Sequence, residues 1–343
     1  MKYVPYPQLG ERPNVIVDGA ANAHTVLSLS HWPHSPTPAG LAADLSAEIV
    51  LRYLDRPELH VAAEVVSNNH FDEDGLVGVW AMVNPDEAGR RRDLLVDIAA
   101  AGDFATYRGR RAAREAFTLS AFADPDHSPL GADVFAVEYP ELVATLFDEL
   151  LPRLGDICAR VDDYRALWEA EDTALTESEA AIASGSATIE EVPALDLAVV
   201  TVPDDLDLRR VHRFTQRRTE AIHPMAVHNA TGCFRVLVVQ GRRFRFHYRY
   251  ESWVQYVSRK PLPRVDLAPL VARLSELERN GRWRADGVDA ITPVLHLVDA
   301  EETSAPETST QETSAQETSI DIATFRAELE RHLATAQPAW DPY

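Results

Sequence analysis

The chain has 343 residues, of which 45% are hydrophobic and 25% are charged, and its formal net charge is −21. This length suits two domains at roughly 150 residues each, and the composition is that of a globular protein rather than a disordered one. The negative charge would repel long nucleic acids, so we expect a small anionic ligand as the partner. The sequence leaves open whether the chain forms a homodimer.

The compartment can be predicted from what the sequence lacks. No stretch approaches the roughly 20 apolar residues of a membrane span, and the N-terminus has no apolar region of the kind found in signal peptides. The only cysteines, Cys158 and Cys233, lie far apart, which excludes a disulfide framework and a cysteine-rich zinc site. We therefore expect a cytoplasmic protein that does not bind a membrane.

The first half of the chain alternates predicted strands and helices. Short β-branched or apolar runs predict strands at 14–17, 25–30 and 60–66, and apolar stripes predict helices at 44–54 and 76–83, the first capped by Asp44. This alternation predicts an α/β fold with a mostly parallel sheet and flanking helices. Ligands of such sheets bind beyond the carboxyl ends of the strands.

The second half predicts a helical middle and a smaller α+β domain. Residues 90–185 are largely helical in pattern, and beyond them strands are predicted at 196–202, 234–240 and 243–250, with helices at 208–222 and 320–333. The Glu-Thr-Ser repeats of 302–319 predict disorder. The predicted organisation is an α/β domain with a helical extension (1–187), an α+β domain (188–299), a linker (300–319) and a C-terminal helix with its tail (320–343).

A candidate metal site lies in the loop after the third predicted strand. There, His70-x-Asp72-x-Asp74-Gly75 brings an imidazole and two carboxylates together, and Mn²⁺ accepts both, whereas Mg²⁺ prefers oxygen. Asp18 and His31 follow the other two strands, where Asp18 would bridge two ions. One or two such ions would activate a water for phosphoryl transfer. The alternative is that Asp72 and Asp74 only form a turn and cap a helix.

These residues also resemble the motifs of the DHH phosphoesterases. Residues 70–76 are similar to the first motif (His, then DxDG), residues 14–18 to the second, residues 29–33 with the helix 44–50 to the third, and residues 101–104 to the fourth. The motif order here is second, third, first, fourth. Ser30 and Trp32 replace the Asp and the second His of the name-giving triplet, and the C-terminal glycine-rich signature is missing. The whole chain also resembles an uncharacterised actinobacterial family.

The resemblance implies a manganese-dependent hydrolase of phosphodiesters, phosphoanhydrides or short oligonucleotides, and it adds Asp103 to the ligands. We therefore predict a divalent-metal-dependent hydrolase of a small phosphorylated substrate, using one or two Mn²⁺ (or Mg²⁺) ions. The predicted metal ligands are His70, Asp72, Asp74, Asp18, His31 and Asp103. Because the triplet is incomplete, the alternative is a non-catalytic pseudoenzyme that binds a nucleotide or another anion in the same cleft.

The second domain supplies candidate anion-binding residues. Basic and aromatic residues alternate over 243–250, which places Arg243, Arg245, His247 and Arg249 on one face of a strand. The predicted substrate-binding residues are Asn69, Arg235, Arg243, Arg245 and Arg249, and the predicted proton donors are His34 and His228. The alternative for the arginines is a solvated strand face paired with carboxylates.

Overall fold

The structure is a computed structural model that describes residues 1–213, 216–299 and 316–343. The fold is α/β, and the chain forms two compact units. Unit 1 comprises Met1–Thr173, His212–Thr215 and Val254–Lys260, and unit 2 comprises Ala174–Val211, Gln216–Trp253 and Pro261–Tyr343. None of the described helices is both long enough and apolar enough to cross a membrane.

Unit 1 contains a four-stranded sheet in which every pair of neighbours is parallel, as the sequence predicts. Its strands, in the spatial order β1-β4-β2-β3, are β1 (Lys2–Tyr3), β2 (Asn14–Val17), β3 (Thr25–Leu29) and β4 (Val65–Ser67). The four residues of β2 are all buried, which is typical of a parallel strand covered on both faces. The third predicted strand is shorter than expected, because β4 takes up only the end of the apolar run 60–66.

The connection between β2 and β3 is unusually short for parallel neighbours. Only residues 18–24 join the two strands, whereas a parallel crossover commonly takes a dozen residues or more. The chain must therefore bend sharply where β2 ends. Asp18, at this bend, has a φ of 47°, in the left-handed region that few residues other than glycine adopt.

Helices cover the sheet of unit 1, and most of the predicted helical middle is confirmed. They are α1 (Ser46–Leu54), α2 (Glu73–Val83), α3 (Pro85–Arg90), α4 (Arg92–Asp103), α5 (Arg110–Phe122), α6 (Tyr139–Ile157) and α7 (Arg165–Ser184), the last of which contains the boundary with unit 2. Helix α2 begins at Glu73 rather than at 76. Gly78 allows it to pack closely on β2, since a Cβ there would lie 2.6 Å from Val17 Cγ1.

Unit 2 is built on a six-stranded mixed sheet with the order β12-β13-β10-β9-β6-β5. Its elements are β5 (Thr188–Val192), β6 (Leu197–Val202), β7 (Arg209–Arg213), β8 (Gln216–Glu220), α8 (Pro224–Ala230), β9 (Arg235–Gln240), β10 (Arg243–Tyr248), β11 (Arg264–Val265), α9 (Ala268–Leu277), β12 (Arg282–Ala285), β13 (Val294–Val298), α10 (Ile322–Thr335) and β14 (Pro338–Trp340). Phe244 and Phe246 of β10 share a core with Leu274 of α9 and Phe325 of α10. The C-terminal helix is thus part of this unit.

Two predictions for unit 2 have clear outcomes. The period-two pattern of 243–250 is confirmed over β10, whose aromatic residues are buried and whose basic residues are half-buried. Its extension to Arg249 is wrong, because the strand ends at Tyr248 and Arg249 is buried against Glu251 and backbone carbonyls. The helix predicted at 208–222 is wrong, because β7 and β8 pair there as a two-stranded sheet. That arginine-rich segment has few apolar residues to form a helical stripe, and strand pairing satisfies its backbone instead.

The disordered linker predicted at 302–319 lies outside the described residues except for 316–319, where Thr318 is fully buried.

Candidate metal centre

The end of the unit 1 sheet gathers the predicted metal ligands. Asp18 directly follows β2, His31 lies two residues beyond β3, and the loop from His70 follows β4. Parallel strands present their carboxyl ends at one edge, so these side chains meet there. Asp103, the last residue of α4, reaches the same place. The structure therefore brings together all six predicted ligands, which are His70, Asp72, Asp74, Asp18, His31 and Asp103.

One group of ligands surrounds His31, whose imidazole is buried. Its Nε2 lies 3.4 Å from Asp18 Oδ1, 3.5 Å from Asp103 Oδ2 and 3.9 Å from Asp74 Oδ2. All four side chains are fully buried. One imidazole nitrogen therefore faces three carboxylates in a space without solvent.

A second group surrounds His70. Its Nε2 lies 2.7 Å from Asp72 Oδ2 and 3.3 Å from Asp18 Oδ2. The His70 side chain is 19% exposed, so this group is open to solvent on one side, and the Trp32 ring lies 5.0 Å from the imidazole, centroid to centroid. A small ligand could reach the centre past these two rings.

Asp18 belongs to both groups, with Oδ1 near His31 and Oδ2 near His70. In the described residues, ligand atoms of Asp18, His70 and Asp72 lie within 4.8 Å of one another, and those of Asp18, His31 and Asp74 do the same. Asp18 thus lies between the two groups, and its role as a bridge between two ions stays a prediction. Its left-handed backbone is an uncommon conformation of the kind that is concentrated at functional sites.

The tautomer of His31 is set by the backbone. His31 Nδ1 lies 2.5 Å from the carbonyl oxygen of Asp44, and a carbonyl can only accept, so Nδ1 carries a proton. In neutral His31, Nε2 would then present a lone pair to the surrounding carboxylates. That contact is repulsive unless His31 is protonated or a cation lies between the groups. Metal-ligating histidines commonly have this arrangement, with the other ring nitrogen donating to a carbonyl or carboxylate.

Charge and burial perturb the ionisable groups strongly. Burial would lower the pKa of His70, but the charges and hydrogen bonds of Asp72 and Asp18 hold this pKa well above its usual value. Burial opposes ionisation of Asp18, yet hydrogen bonding to His70 and the charges of both histidines lower its pKa to about 2. Burial, followed by the charges of Asp18 and Asp72, raises the pKa of Asp74 well above its usual value. In the metal-free protein, then, ionisation of Asp18 is favoured and ionisation of Asp74 is costly.

Two of the predicted ligands also cap helices, as the structural alternative predicts. Asp72 Oδ1 accepts a hydrogen bond from Gly75 N at 2.9 Å at the start of α2. Asp74 accepts from Ser46 N and Ala47 N, each at 2.7 Å, at the start of α1. A carboxylate oxygen has more than one lone pair, so a capping bond leaves room for a metal. Capping and metal binding are therefore compatible in this geometry.

Ser46 supports the centre, although no sequence motif points to it. Its hydroxyl donates to Asp18 Oδ1 at 2.7 Å and accepts from His31 N at 3.2 Å. A serine in the first turn of a predicted helix is the only sequence signal for it. The prediction that Asp44 caps this helix is wrong, because Leu45 is the N-cap residue. The Asp44 carboxylate instead accepts hydrogen bonds from Val257 and Ser258.

The predicted accessory residues of unit 1 lie in loops. Asn69 Oδ1 accepts from Ala20 N at 2.8 Å and so supports the loop after Asp18. His34 is exposed and has a φ of 57° in the turn after His31. Their roles in substrate binding and proton donation stay predictions.

The predicted anion-binding arginines belong to unit 2, where described groups accept hydrogen bonds from them. Arg235 donates to the carbonyls of Leu195 and Pro263. The other pairings are Arg249 with Glu251 and with backbone carbonyls, Arg245 with Glu220, and Arg243 with Gln240 and Glu317. His228 is buried in α8, 6.1 Å from His247 between ring centroids. These contacts favour structural roles for Arg235 and Arg249, and substrate contact stays a prediction for the whole set.

Comparison with known families adds one finding. A family model described as a family of unknown function, DUF6687, matches residues 1–343. The chain belongs to this family. No curated protein and no solved structure shows significant similarity to it. Membership in DUF6687 brings no activity with it, so a function has to be argued from the metal centre itself.

Proposed function

We propose that the protein is a divalent-metal-dependent hydrolase that acts on a small phosphorylated substrate, a phosphoester or a phosphoanhydride. The observation that carries the proposal is Asp18, a buried carboxylate shared by two groups of histidine and aspartate ligands. Two ions about 3.5–4 Å apart, when bound, activate a water and stabilise both the attacking and leaving oxygens of an in-line displacement at phosphorus. Oxygen and imidazole donors favour Mn²⁺, with Mg²⁺ as the alternative.

Electrostatics supports a cation at this place. Four aspartates surround two histidines, and most of these side chains are fully buried. Unlike charges close together in a low-dielectric site attract strongly, and like charges repel strongly. Burial and then repulsion by Asp18 and Asp72 raise the pKa of Asp74, and a divalent cation would offset both effects. It would also accept the lone pair that the fixed tautomer directs outward from His31.

The residues of the two groups would have different roles in binding the ions and the substrate. Asp18 would hold both ions in register, and Ser46 would fix Asp18 through its hydroxyl hydrogen bond. His31 and its neighbours form the enclosed side of the centre. His70 and Trp32 form the side that solvent reaches, where the phosphoryl group would enter.

The test is metal content and turnover of the purified full-length protein. After treatment with a chelator and reconstitution with Mn²⁺, we expect two ions per chain and hydrolysis of p-nitrophenyl phosphate, its diester or pyrophosphate. Asp18→Asn should lose both ions and the turnover. Asp196→Asn is the matched control, because Asp196 is a buried aspartate of unit 2 with a similar φ of 51°, and it should keep both.

The outcomes separate the candidate functions. A wild-type protein that binds no Mn²⁺ would refute the metal centre. Bound metal and bound nucleotide without turnover would instead favour the non-catalytic pseudoenzyme. The replacement of two triplet residues by Ser30 and Trp32 is the feature that motivates that alternative.

A further inference from the structure

A short segment from far along the chain packs beside the His31 group. Residues 254–260, here called the strap, are part of unit 1 although their sequence neighbours belong to unit 2. Gln255 N donates to the carbonyl oxygen of His31 at 2.8 Å. Tyr256 packs edge-on against Phe104 with centroids 5.4 Å apart, and Phe104 directly follows Asp103. The strap therefore contacts the main chain of one predicted ligand and the residue next to another.

The strap also holds Asp44. Val257 N and Ser258 N donate to Asp44 Oδ1 at 2.7 and 2.8 Å, and the Ser258 hydroxyl donates to Asp44 Oδ2. These bonds fix the Asp44 side chain on a loop that has no regular structure of its own. The Asp44 carbonyl is the group that accepts the hydrogen bond from His31 Nδ1.

We propose that Asp44 and Ser258 are positioning residues for His31, through which the strap fixes Nε2 as a ligand of the enclosed ion. The inference rests on the proposed metal-dependent function and adds to it a requirement for a segment more than 200 residues away from His31 in sequence. Three contacts converge on His31: its amide donates to Ser46 Oγ, its carbonyl accepts from Gln255, and its Nδ1 donates to Asp44. Two of the three depend on the strap.

The burial of these residues allows an effect on the orientation of His31 to be distinguished from an effect on the stability of the fold. Val257 and Ser258 are exposed and Asp44 is half-buried, so their substitution removes hydrogen bonds at the surface and leaves the core of the unit intact. Partners that orient a metal-ligating histidine typically contribute 10–100-fold to metal affinity. The effect should fall on the His31 group alone, because His70 is oriented by Asp72 and Asp18 instead.

The experiment is calorimetric titration of the metal-free full-length protein with Mn²⁺, together with electron paramagnetic resonance of the loaded protein. Asp44→Ala should weaken one of the two sites about 10–100-fold, leave the other unchanged, and lose the signal of a coupled pair of Mn²⁺ ions. Asp44→Asn should restore both, since its amide oxygen still accepts the two backbone N–H groups and its amide nitrogen can donate to Ser258 Oγ. Ser258→Ala, a milder surface change, should show a smaller loss at the same site.

Asp321→Ala is the matched control, because Asp321 also accepts from one backbone N–H and one hydroxyl, both of Thr324, at a helix start in unit 2. It should bind two ions as the wild type does. Equal affinities at both sites in Asp44→Ala and the wild type would overturn the positioning role and leave the hydrolase proposal standing. A wild type that binds no Mn²⁺ would overturn both.

Discussion

Asp72 offers a substitution that separates helix capping from metal binding. Its Oδ1 caps α2 through Gly75 N, and its Oδ2 lies 2.7 Å from His70 Nε2. Asparagine caps helices about as well as aspartate, whereas alanine does not. Asp72→Asn should therefore keep the cap and lose the anionic ligand, while Asp72→Ala should lose both.

The expected magnitudes follow from these two contacts. Loss of a cap costs about 1 kcal/mol, which lowers the Tm of a unit of this size by roughly 2–4 °C. An ion present at about 100 times its Kd stabilises the folded state by about 2.7 kcal/mol, or roughly 5–11 °C in Tm. Without metal, Asp72→Asn should melt slightly below the wild type, because it loses only the charged contact with His70, and Asp72→Ala should melt lower still, because it also loses the cap. With Mn²⁺, both variants should lack the increase in Tm that the ion of the His70 group gives the wild type.

Differential scanning calorimetry with and without Mn²⁺, combined with metal analysis, measures both effects on the same samples. We expect two ions per chain in the wild type and one in each variant, since the His31 group does not include Asp72. If Asp72→Asn keeps two ions and the full increase in Tm, then Asp72 is only a helix cap and the His70 group is not a metal site.

Three further predictions concern stability in the two units. Burial raises the pKa of Glu115 to about 7, although a hydrogen bond from Arg111 opposes the shift. Between about pH 4.5 and 7 the folded state therefore holds a proton that the unfolded state releases. The free energy of unfolding should fall as the pH rises through this range. Glu115→Gln should remove this pH-dependent loss of stability, which amounts to up to about 3 kcal/mol at about 1.4 kcal/mol per pKa unit. Thermal melts of both proteins at pH 5 and pH 8 measure the difference. Equal pH dependence in the wild type and the variant would contradict the prediction. Gly78→Ala would place a Cβ 2.6 Å from Val17 Cγ1. Overpacking of about 1–3 kcal/mol, less a gain in helix propensity of about 1 kcal/mol, should give a net destabilisation of up to about 2 kcal/mol in urea unfolding. A stabilised variant would argue against the close approach. The pKa of Glu278 is lowered to about 2, because hydrogen bonds from Thr318, Ser319 and Asn280 outweigh the opposing effect of burial. Glu278→Gln should therefore destabilise the protein at pH 7, and the difference should shrink as the pH falls from about 4.5 to 2, in a series of melts from pH 7 down to pH 2. A difference independent of pH would show that ionisation of Glu278 does not matter.

Features of this protein that depend on local residue pattern can be predicted from the sequence. The β-branched run before Asp18 and the apolar run before His31 form parallel strands, and the alternation of Arg243 to Tyr248 gives a strand with one buried face. Because the carboxyl ends of parallel strands share one edge, Asp18, His31 and the loop from His70 were expected to meet, and they do. Period and strand direction are short-range properties that a single sequence carries.

The atoms that each side chain contacts depend on how distant parts of the chain pack together. Asp44 has the residue type and position of a helix cap, yet Val257 and Ser258, more than 200 residues away, bind its carboxylate, and Asp74 caps α1 in its place. The segment 208–222 pairs with itself as the two strands of a separate small sheet, and strand preference depends too strongly on packing context for its residue pattern alone to decide between strand and helix. Partners distant in sequence, such as Val257 and Ser258 for Asp44, meet only when the chain folds, and a single sequence does not record which groups come together.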